Sequence, residues 1–353
     1  MKVRAFFYLF LLCPCWVVAQ PFGGQRVFSF LDLPTHARVA ALGGQVATAI
    51  SPDGAYHLNN PALADSIRSN DLSISLMPYL AAAKYYTLQY GLPSRQKSTD
   101  RRVGWAVGAQ YLNYGEFAQT DPAGNALGTF TVNDYALSLT YARTEGNFTL
   151  GATFKAVGSS IETYSAFGLL ADLGGVWRHP KKDLTFGLVA RNVGYLLKNY
   201  GSLDRTAAMA SLPFDLQAGV TLKPKHAPIR LTLTAHHIYR YDITYNDPNL
   251  NTRYDLNGNP ILPTTGVVEK IARHLSVGAE LLIHRNVHLL VGYNHLKRQE
   301  GKLASGGIGP GISFGASVQA KGFQLTYGRF SSVPTAGTSQ LSLRIDLDRL
   351  MKK

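Results

Sequence analysis

Cysteine is almost absent from this chain of 353 residues, and its two copies, Cys13 and Cys15, lie close together near the start. The stretch around them begins with two basic residues, continues as a short apolar run and reaches small side chains at Ala19. This order is the pattern of a secretory signal peptide, and its apolar run is too short for a membrane span. We therefore expect residues 1–19 to be removed, which leaves an exported chain without disulfides.

Long apolar runs are also missing. No window of about twenty residues beyond the signal peptide is apolar enough for a transmembrane helix, and the long uncharged stretch 303–320 is rich in glycine and serine and contains Pro310. Lipid offers backbone groups no hydrogen-bond partners. If the mature chain spans a membrane, it must therefore do so as a closed β-barrel.

Acidic residues are few: the chain has 22 Asp and Glu but 35 Lys and Arg, which gives a formal net charge of +13. Loss of Lys2 and Arg4 with the signal peptide lowers that charge to +11. A basic balance fits nucleic acid or anionic lipid headgroups. Export favours lipid, so we expect outer-membrane lipid as a partner and no nucleic acid.

Polar and apolar residues alternate from Asp71 to the end of the chain, as in 229–236 and 341–347. Alternation also occurs in soluble sandwiches, but these runs are about ten residues long, the length of membrane strands rather than sandwich strands. We predict an all-β fold, a transmembrane antiparallel β-barrel of about fourteen strands over 71–353. The predicted strands are 71–80, 84–92, 102–113, 131–143, 147–157, 167–178, 183–195, 213–224, 229–240, 272–284, 286–296, 309–320, 322–330 and 338–348.

Short and long links alternate between these strands, as in bacterial outer-membrane barrels with periplasmic turns and longer outer loops. The longest link is 241–271, whereas 81–83 and 93–101 fit the alternation less well. The assignment predicts an outer-membrane location with both termini in the periplasm. Residues expected at the membrane interface because they share parity with lipid-facing positions are Trp105, Tyr135, Tyr141 and Trp177.

Residues 20–70 do not alternate. Thr35 to Leu42 predicts a short helix ended by two glycines, and Asn60 followed by Pro61 predicts a capped helix start. The segment is too apolar for disorder. We expect a hatch, or plug, inside the barrel; the alternative is a flexible periplasmic leader.

This block carries the sharpest resemblance in the chain. Its hatch motif consists of Ala37, Arg38, Leu42, Gly43, Gly44, Asn60, Pro61 and Ala62. The block resembles the PorV/PorQ family of type IX secretion proteins, closest to its PorQ branch, which is itself similar to FadL-type fatty-acid transporters. The resemblance implies a non-enzymatic anchor or scaffold in a cell-surface attachment complex. Its implied partners are PorZ, with PorU and PorV in one complex that attaches secreted cargo to anionic lipopolysaccharide.

Motifs for catalysis and cofactors are weak. The segment 311–315 matches G-x-S-x-G, but we place it inside a strand rather than at a strand-to-helix turn. We expect His236 and His237 to point to opposite faces of a strand and not to chelate together. A calcium-loop pattern over 255–259 lacks its distal glutamate. We predict no enzyme, no cofactor and no metal.

Charged residues predicted to face the lumen are Lys155, Arg191, Asp215, Arg230, Arg240, Glu280, Arg344 and Asp346. We interpret them as partners of one another or of the hatch, where Arg38 could dock to Asp215 or Glu280; a permeation path is the alternative.

The long outer loop is the predicted partner surface, with the alternative of a solvated, mobile loop. Its candidate residues are Tyr245, Asn246, Asp247, Asp255 and Asn257. The rival function is a FadL-like transporter of hydrophobic small molecules, which would need an apolar lumen pocket. Predicted inward faces that are polar and rich in glycine count against it, and the missing Ser/His/Asp constellation counts against a hydrolase.

Overall fold

The computed structural model describes residues 26–50, 56–66, 70–93, 101–200, 212–244, 265–301, 309–333 and 336–351. These residues form a closed barrel of fourteen antiparallel strands, in which each strand pairs with its neighbours in sequence and β1 pairs with β14. This confirms the predicted fold class. The strands are β1 Asp71–Pro78, β2 Lys84–Gly91, β3 Arg101–Thr120, β4 Ala126–Glu145, β5 Phe148–Ile161, β6 Tyr164–Arg178, β7 Leu184–Lys198, β8 Asp215–Leu222, β9 Ile229–Ala235, β10 Leu275–His284, β11 Val287–Asn294, β12 Ile312–Ala320, β13 Phe323–Val333 and β14 Ala336–Asp346.

The outward face of the barrel is apolar and open. Leu137 is 63% exposed and Leu150 is 71% exposed, whereas the alternate residues of the same strands are buried, as where Thr140 and Thr153 hydrogen-bond across the inward face at 2.8 Å. A sheet that turns its leucines outward and its threonines inward is stable in lipid rather than in water. The barrel therefore spans a membrane.

Several predicted strand bounds were wrong at the end of the barrel where the longer links lie. β3 and β4 continue to a turn over 121–125, and β5 and β6 are joined across 162–163. The ends of β3 and β4 were missed because both faces of these strands are largely exposed there, which removes the alternation. Both links are raised hairpins rather than loops.

Other links contain helices that the period-two pattern does not predict. The predicted ninth strand ends early, at Ala235, and the predicted tenth begins late, after α2, Val267–Arg273. The predicted eleventh ends at Asn294, whose side chain caps α3, His295–Glu300, by accepting from Lys297 N at 3.1 Å. The remaining helices are α1, Ala37–Ala41, before the barrel and α4, Leu347–Met351, after it.

Among the residues that the structure describes, no helix has both the length and the apolar character needed to cross a bilayer.

Candidate functional site: the N-terminal segment within the barrel

The residues 26–50 and 56–66, here called the N-terminal segment, are almost entirely buried. The predicted helix is present as α1, whose start is capped where His36 Nδ1 accepts from Arg38 N at 3.0 Å. Gly43 and Gly44 follow it with φ of 97° and 82°, a conformation that side chains with a Cβ disfavour. These glycines turn the chain back at the end of the helix.

The second helical turn also begins as predicted, although it is a 3₁₀ helix, Pro61–Ser66, rather than an α-helix. The Asn60 Oδ1 atom accepts from Ala62 N at 3.0 Å. Its Nδ2 atom donates to the Ala47 carbonyl at 2.7 Å, which ties the two parts of the segment together. One side chain thus caps a helix and holds a neighbouring loop.

Inward glycines of the barrel wall touch this segment on nearly every side. A Cβ on Gly151 would lie 2.5 Å from Ala62 N, and one on Gly315 would lie 2.7 Å from Ala41 Cβ. Either distance is too short for a real contact, so only glycine leaves room for the segment. The inward glycines in contact with it are Gly104, Gly108, Gly151, Gly168, Gly174, Gly187, Gly219, Gly278, Gly292, Gly315 and Gly328.

Hydroxyl groups of the wall satisfy the backbone of α1 and its flanks. Ser342 Oγ accepts from Ala37 N at 2.8 Å, whereas Ser313 Oγ donates to the Ala41 carbonyl at 2.9 Å. Thr87 Oγ1 donates to the Thr35 carbonyl at 2.6 Å. The serine of the G-x-S-x-G match is therefore a hydrogen-bond donor to the N-terminal segment.

An ion pair predicted from the sequence joins the segment to β10. Arg38 Nη2 lies 3.5 Å from Glu280 Oε2 and 2.9 Å from His288 Nδ1. Arg230 on β9 also pairs with Glu280, at 2.8 Å. Both ends of the Arg38–Glu280 pair are buried, and Glu280 is shared between Arg38 and Arg230. Of the two acidic partners expected for Arg38, the structure places Glu280 beside it.

A second ionic contact was not predicted. Asp65, at the end of the 3₁₀ helix, accepts from Arg178 Nη2 at 2.8 Å and from Thr144 Oγ1 at 2.8 Å. Arg102 Nη2 lies 3.2 Å from the same carboxylate. These partners come from β3, β4 and β6, near the short turns. No local pattern marks Asp65, because its partners lie far away in sequence.

The other predicted lumen charges are buried, with one exception. Lys155 Nζ lies 2.6 Å from Asp172 and donates to Asn192 Oδ1 at 3.0 Å, beside an irregularity in β7 where Asn192 has a φ of 57°. Arg344 pairs with Asp71 across β14 and β1. Arg240 is the exception, because β9 ends before it and the residue is only partly buried; its lumen assignment stays a prediction.

The prediction that inward faces are polar is wrong at the end with the longer links. There Phe28, Phe30 and Leu31 of the N-terminal segment pack against Met77 and Tyr85 of the wall, within a cluster that continues over β3 to β6. Further out on the same inward face of β3 and β4, Phe117 and Phe130 stack with ring centroids 5.6 Å apart. Beside β1 to β6 the barrel interior is therefore apolar towards the raised hairpins, whereas Asp215, Thr234, Ser276 and Asn294 keep the inward face of β8 to β11 polar at the same end.

The expectation that His236 and His237 point apart was also wrong. β9 ends before them and His237 takes a φ of 55°, so the alternation of strand side chains does not apply. Their Nδ1 atoms lie 2.8 Å apart, and Asp215 Oδ1 accepts from His237 N. Across the ranges described, no group of three or more His, Cys, Asp or Glu side chains could hold a metal ion.

The predicted interface aromatics lie on the outward face in two groups. Trp105 and Tyr141 contact each other with ring centroids 4.7 Å apart, and Trp177 lies between Phe148 and Phe186, all near the short turns. Tyr135 pairs in register with Tyr111, which stacks on Tyr86, near the opposite rim. Their contact with the lipid interface stays a prediction.

Three predictions fall outside the described residues. These are the signal peptide over 1–19, the calcium-like pattern over 255–259, and the candidate partner residues Tyr245, Asn246, Asp247, Asp255 and Asn257.

Comparisons with known proteins find no matching family model and no matching curated protein. Solved structures with a similar barrel include the toluene transporter TbuX of Ralstonia pickettii, at 12% identity and a TM-score of 0.49, over 90% of this chain and 98% of that one. The toluene transporter TodX of P. putida is 11% identical with a TM-score of 0.45, over 89% and 97%. A FadL homologue of Pseudomonas aeruginosa is 12% identical with a TM-score of 0.47, over 88% and 98%. At such values these likenesses assign neither family nor transport.

Proposed function

We propose that this protein is a plugged outer-membrane barrel that acts as a non-enzymatic anchor in type IX secretion, in the manner of PorQ. It holds a cell-surface attachment complex, with PorZ as direct partner and PorU and PorV in the same assembly, at a membrane rich in anionic lipopolysaccharide. The observation that carries the proposal is the set of contacts that join the N-terminal segment to the inward side of the barrel wall. A barrel that holds its own N-terminal segment by ion pairs at two sites is suited to rigid support.

The residues that resemble the family support this proposal by their position. Ala37, Leu42, Gly43, Asn60 and Pro61 each lie against an inward glycine of the wall. The motif thus coincides with the points where the segment meets the barrel. A small cleft beside the segment, lined by His57, Asp71, Ser73, Gln89, Tyr90, Gly91 and Arg344, has room for about one water molecule, which is too little for a hydrophobic solute.

Transport of a hydrophobic small molecule is the second candidate, and one specific observation favours it. The apolar interior near the raised hairpins, with Phe117 and Phe130 partly exposed above it, offers a surface on which such a molecule could enter. Two of the similar solved barrels are toluene transporters, but at their TM-scores this likeness favours neither candidate. Release would require the N-terminal segment to move away from the wall.

Complementation of a gene deletion separates the two candidates. One variant loses loop residues 245–264, and the other carries Gly151→Ala, which loosens the N-terminal segment. An anchor requires the outer loop, so the loop variant should lose surface-attached cargo while its uptake of a hydrophobic solute stays normal. A transporter depends on the segment, so the glycine variant should change uptake of a hydrophobic solute while cargo attachment stays normal.

A pull-down from detergent-solubilised membranes tests the partner. We expect PorZ to be recovered with the full-length protein and to be lost with the loop variant. Recovery of no attachment-complex subunit, from cells in which the protein is abundant and correctly inserted, would contradict the anchor function. Variants shortened instead at the β3–β4 turn, 121–125, serve as the matched control.

A further inference from the structure

Helix α2 has its charged side turned towards the protein and its apolar side turned outward. Val267 is 60% exposed, Val268 is 82% exposed and Ile271 is 53% exposed. The side chains of Lys270 and Arg273, by contrast, are only 23% and 14% exposed. A helix packed on a protein in water shows the opposite arrangement.

Every charge of this helix has a partner within the protein. Lys270 lies 2.7 Å from Asp242, and Arg273 pairs with Glu269 at 3.1 Å. The other Glu269 oxygen hydrogen-bonds His295 Nε2 at 2.9 Å. The contacts of Lys270 with Asp242 and of Glu269 with His295 hold the charged side of the helix against the protein. The valines are therefore on the opposite side and exposed.

The same contacts place α2 next to the lipid-facing surface. The Nδ1 atom of His295 hydrogen-bonds the hydroxyl of Tyr293 at 2.9 Å. Tyr293 is an outward residue of β11, on the face that also carries Leu289 and Val291, both exposed. Through His295 and Tyr293, α2 is therefore linked to the outward face of the barrel, at the rim away from the short turns.

We propose that α2 lies in the bilayer, at the boundary between lipid headgroups and acyl chains, and that lipid covers Val267, Val268 and Ile271. Aromatic side chains at the same rim fit that depth: Tyr241 is exposed, with the Lys270 ammonium 5.6 Å above its ring. Tyrosine rings and lysine side chains are typical of membrane interfaces. An interfacial helix of this kind adds anchoring area beside the strands. The proposal goes beyond the anchor function and does not depend on it.

The chain from Gln20 onward contains no cysteine, so a single nitroxide label can report the depth of one position in refolded protein in phospholipid vesicles. Val268→Cys is the test site. Leu139→Cys, on the outward face of β4, is the lipid control, and Ala123→Cys, exposed in the β3–β4 turn, is the water control. We expect the ratio of oxygen to nickel-complex accessibility at position 268 to lie several-fold above that at 123 and to approach that at 139.

A ratio at position 268 equal to that at 123 would place the helix in water and overturn the proposal. Spin–spin broadening that disappears when unlabelled protein is added would show that a second copy, not lipid, covers the helix. Val267→Cys repeats the measurement one residue away. Because both valines are exposed, neither label disturbs packing, and correct folding is checked by the heat-dependent gel mobility of the barrel.

Discussion

Gly151 allows the contact between the barrel and its N-terminal segment to be tested with a single added methyl group. It lies on the inward face of β5, where a Cβ would be 2.5 Å from Ala62 N and 2.6 Å from the Pro61 carbonyl oxygen. These are backbone atoms, which cannot rotate away as a side chain does. Gly151→Ala must therefore push the 3₁₀ helix from the wall or bend the strand.

The size of the effect follows from overpacking. Forcing an extra methyl group into a closely packed site costs about 1–3 kcal/mol. The strand is held on both sides by ladder hydrogen bonds with β4 and β6, so we expect the segment to yield. A factor of ten in an equilibrium constant corresponds to about 1.4 kcal/mol. Local opening of the segment should thus become roughly five- to 150-fold more frequent.

Hydrogen exchange measured by mass spectrometry on the protein in detergent or nanodiscs tests this value. Peptides that cover 56–66 should exchange faster in Gly151→Ala by the factor above, while peptides from β5 keep their protection. Gly175→Ala is the matched control, since its Cβ would meet only Leu150 Cδ2, at an ordinary 3.5 Å. Equal exchange in the two variants would refute the reasoning that the segment is held by close backbone contact.

Three further predictions concern charges and the segment as a whole. Deletion of residues 21–70 should open ion conductance in planar bilayers, and a conductance equal to that of the full chain would argue against a plug. Asp65→Asn should lower the free energy of unfolding by about 1–3 kcal/mol, because it weakens buried charge-assisted hydrogen bonds. Thermal unfolding measures this loss. The control is Asp183→Asn, which removes an exposed ion pair with Lys223 that is worth about 0–1 kcal/mol. The Lys270 side chain lowers the pKa of Asp242 to about 2, so this ion pair stabilises the fold above pH about 4 and the contribution is lost as the pH falls towards 2. Carboxyl NMR should show this pKa rising towards its ordinary value in Lys270→Gln, and no rise would exclude the pair.

Much of the barrel could be predicted because its signal is local. A strand that faces lipid on one side and a filled interior on the other must alternate, and fourteen such runs are visible without knowledge of any contact. Two helical turns of the N-terminal segment were visible for the same reason. Asn60 and Pro61 occupy cap positions that depend only on the next few residues.

The inward glycines of the barrel wall are a feature that local sequence patterns do not explain. In the sequence, Gly151 and Gly315 belong to inward faces that are polar and rich in glycine, which counted against an apolar transport pocket. In the structure they are the sites where the backbone of the N-terminal segment lies against the wall. Glycine is required at each position because of a contact with a residue far away in the chain: Gly151 meets Ala62, about ninety residues away, and Gly315 meets Ala41, more than 270 residues away. No short window of the sequence contains both residues of such a contact.

The closed antiparallel barrel, its outward apolar face and the short helical turns follow from the sequence alone, because each depends on periodicity or on capping within a few residues. The contact of Asp65 with Arg178, the contact of His236 with His237 and the outward turn of the α2 valines are visible only in the folded chain. These features depend on where strands end and on which residues, often distant in sequence, then meet. No local pattern in the sequence records such contacts.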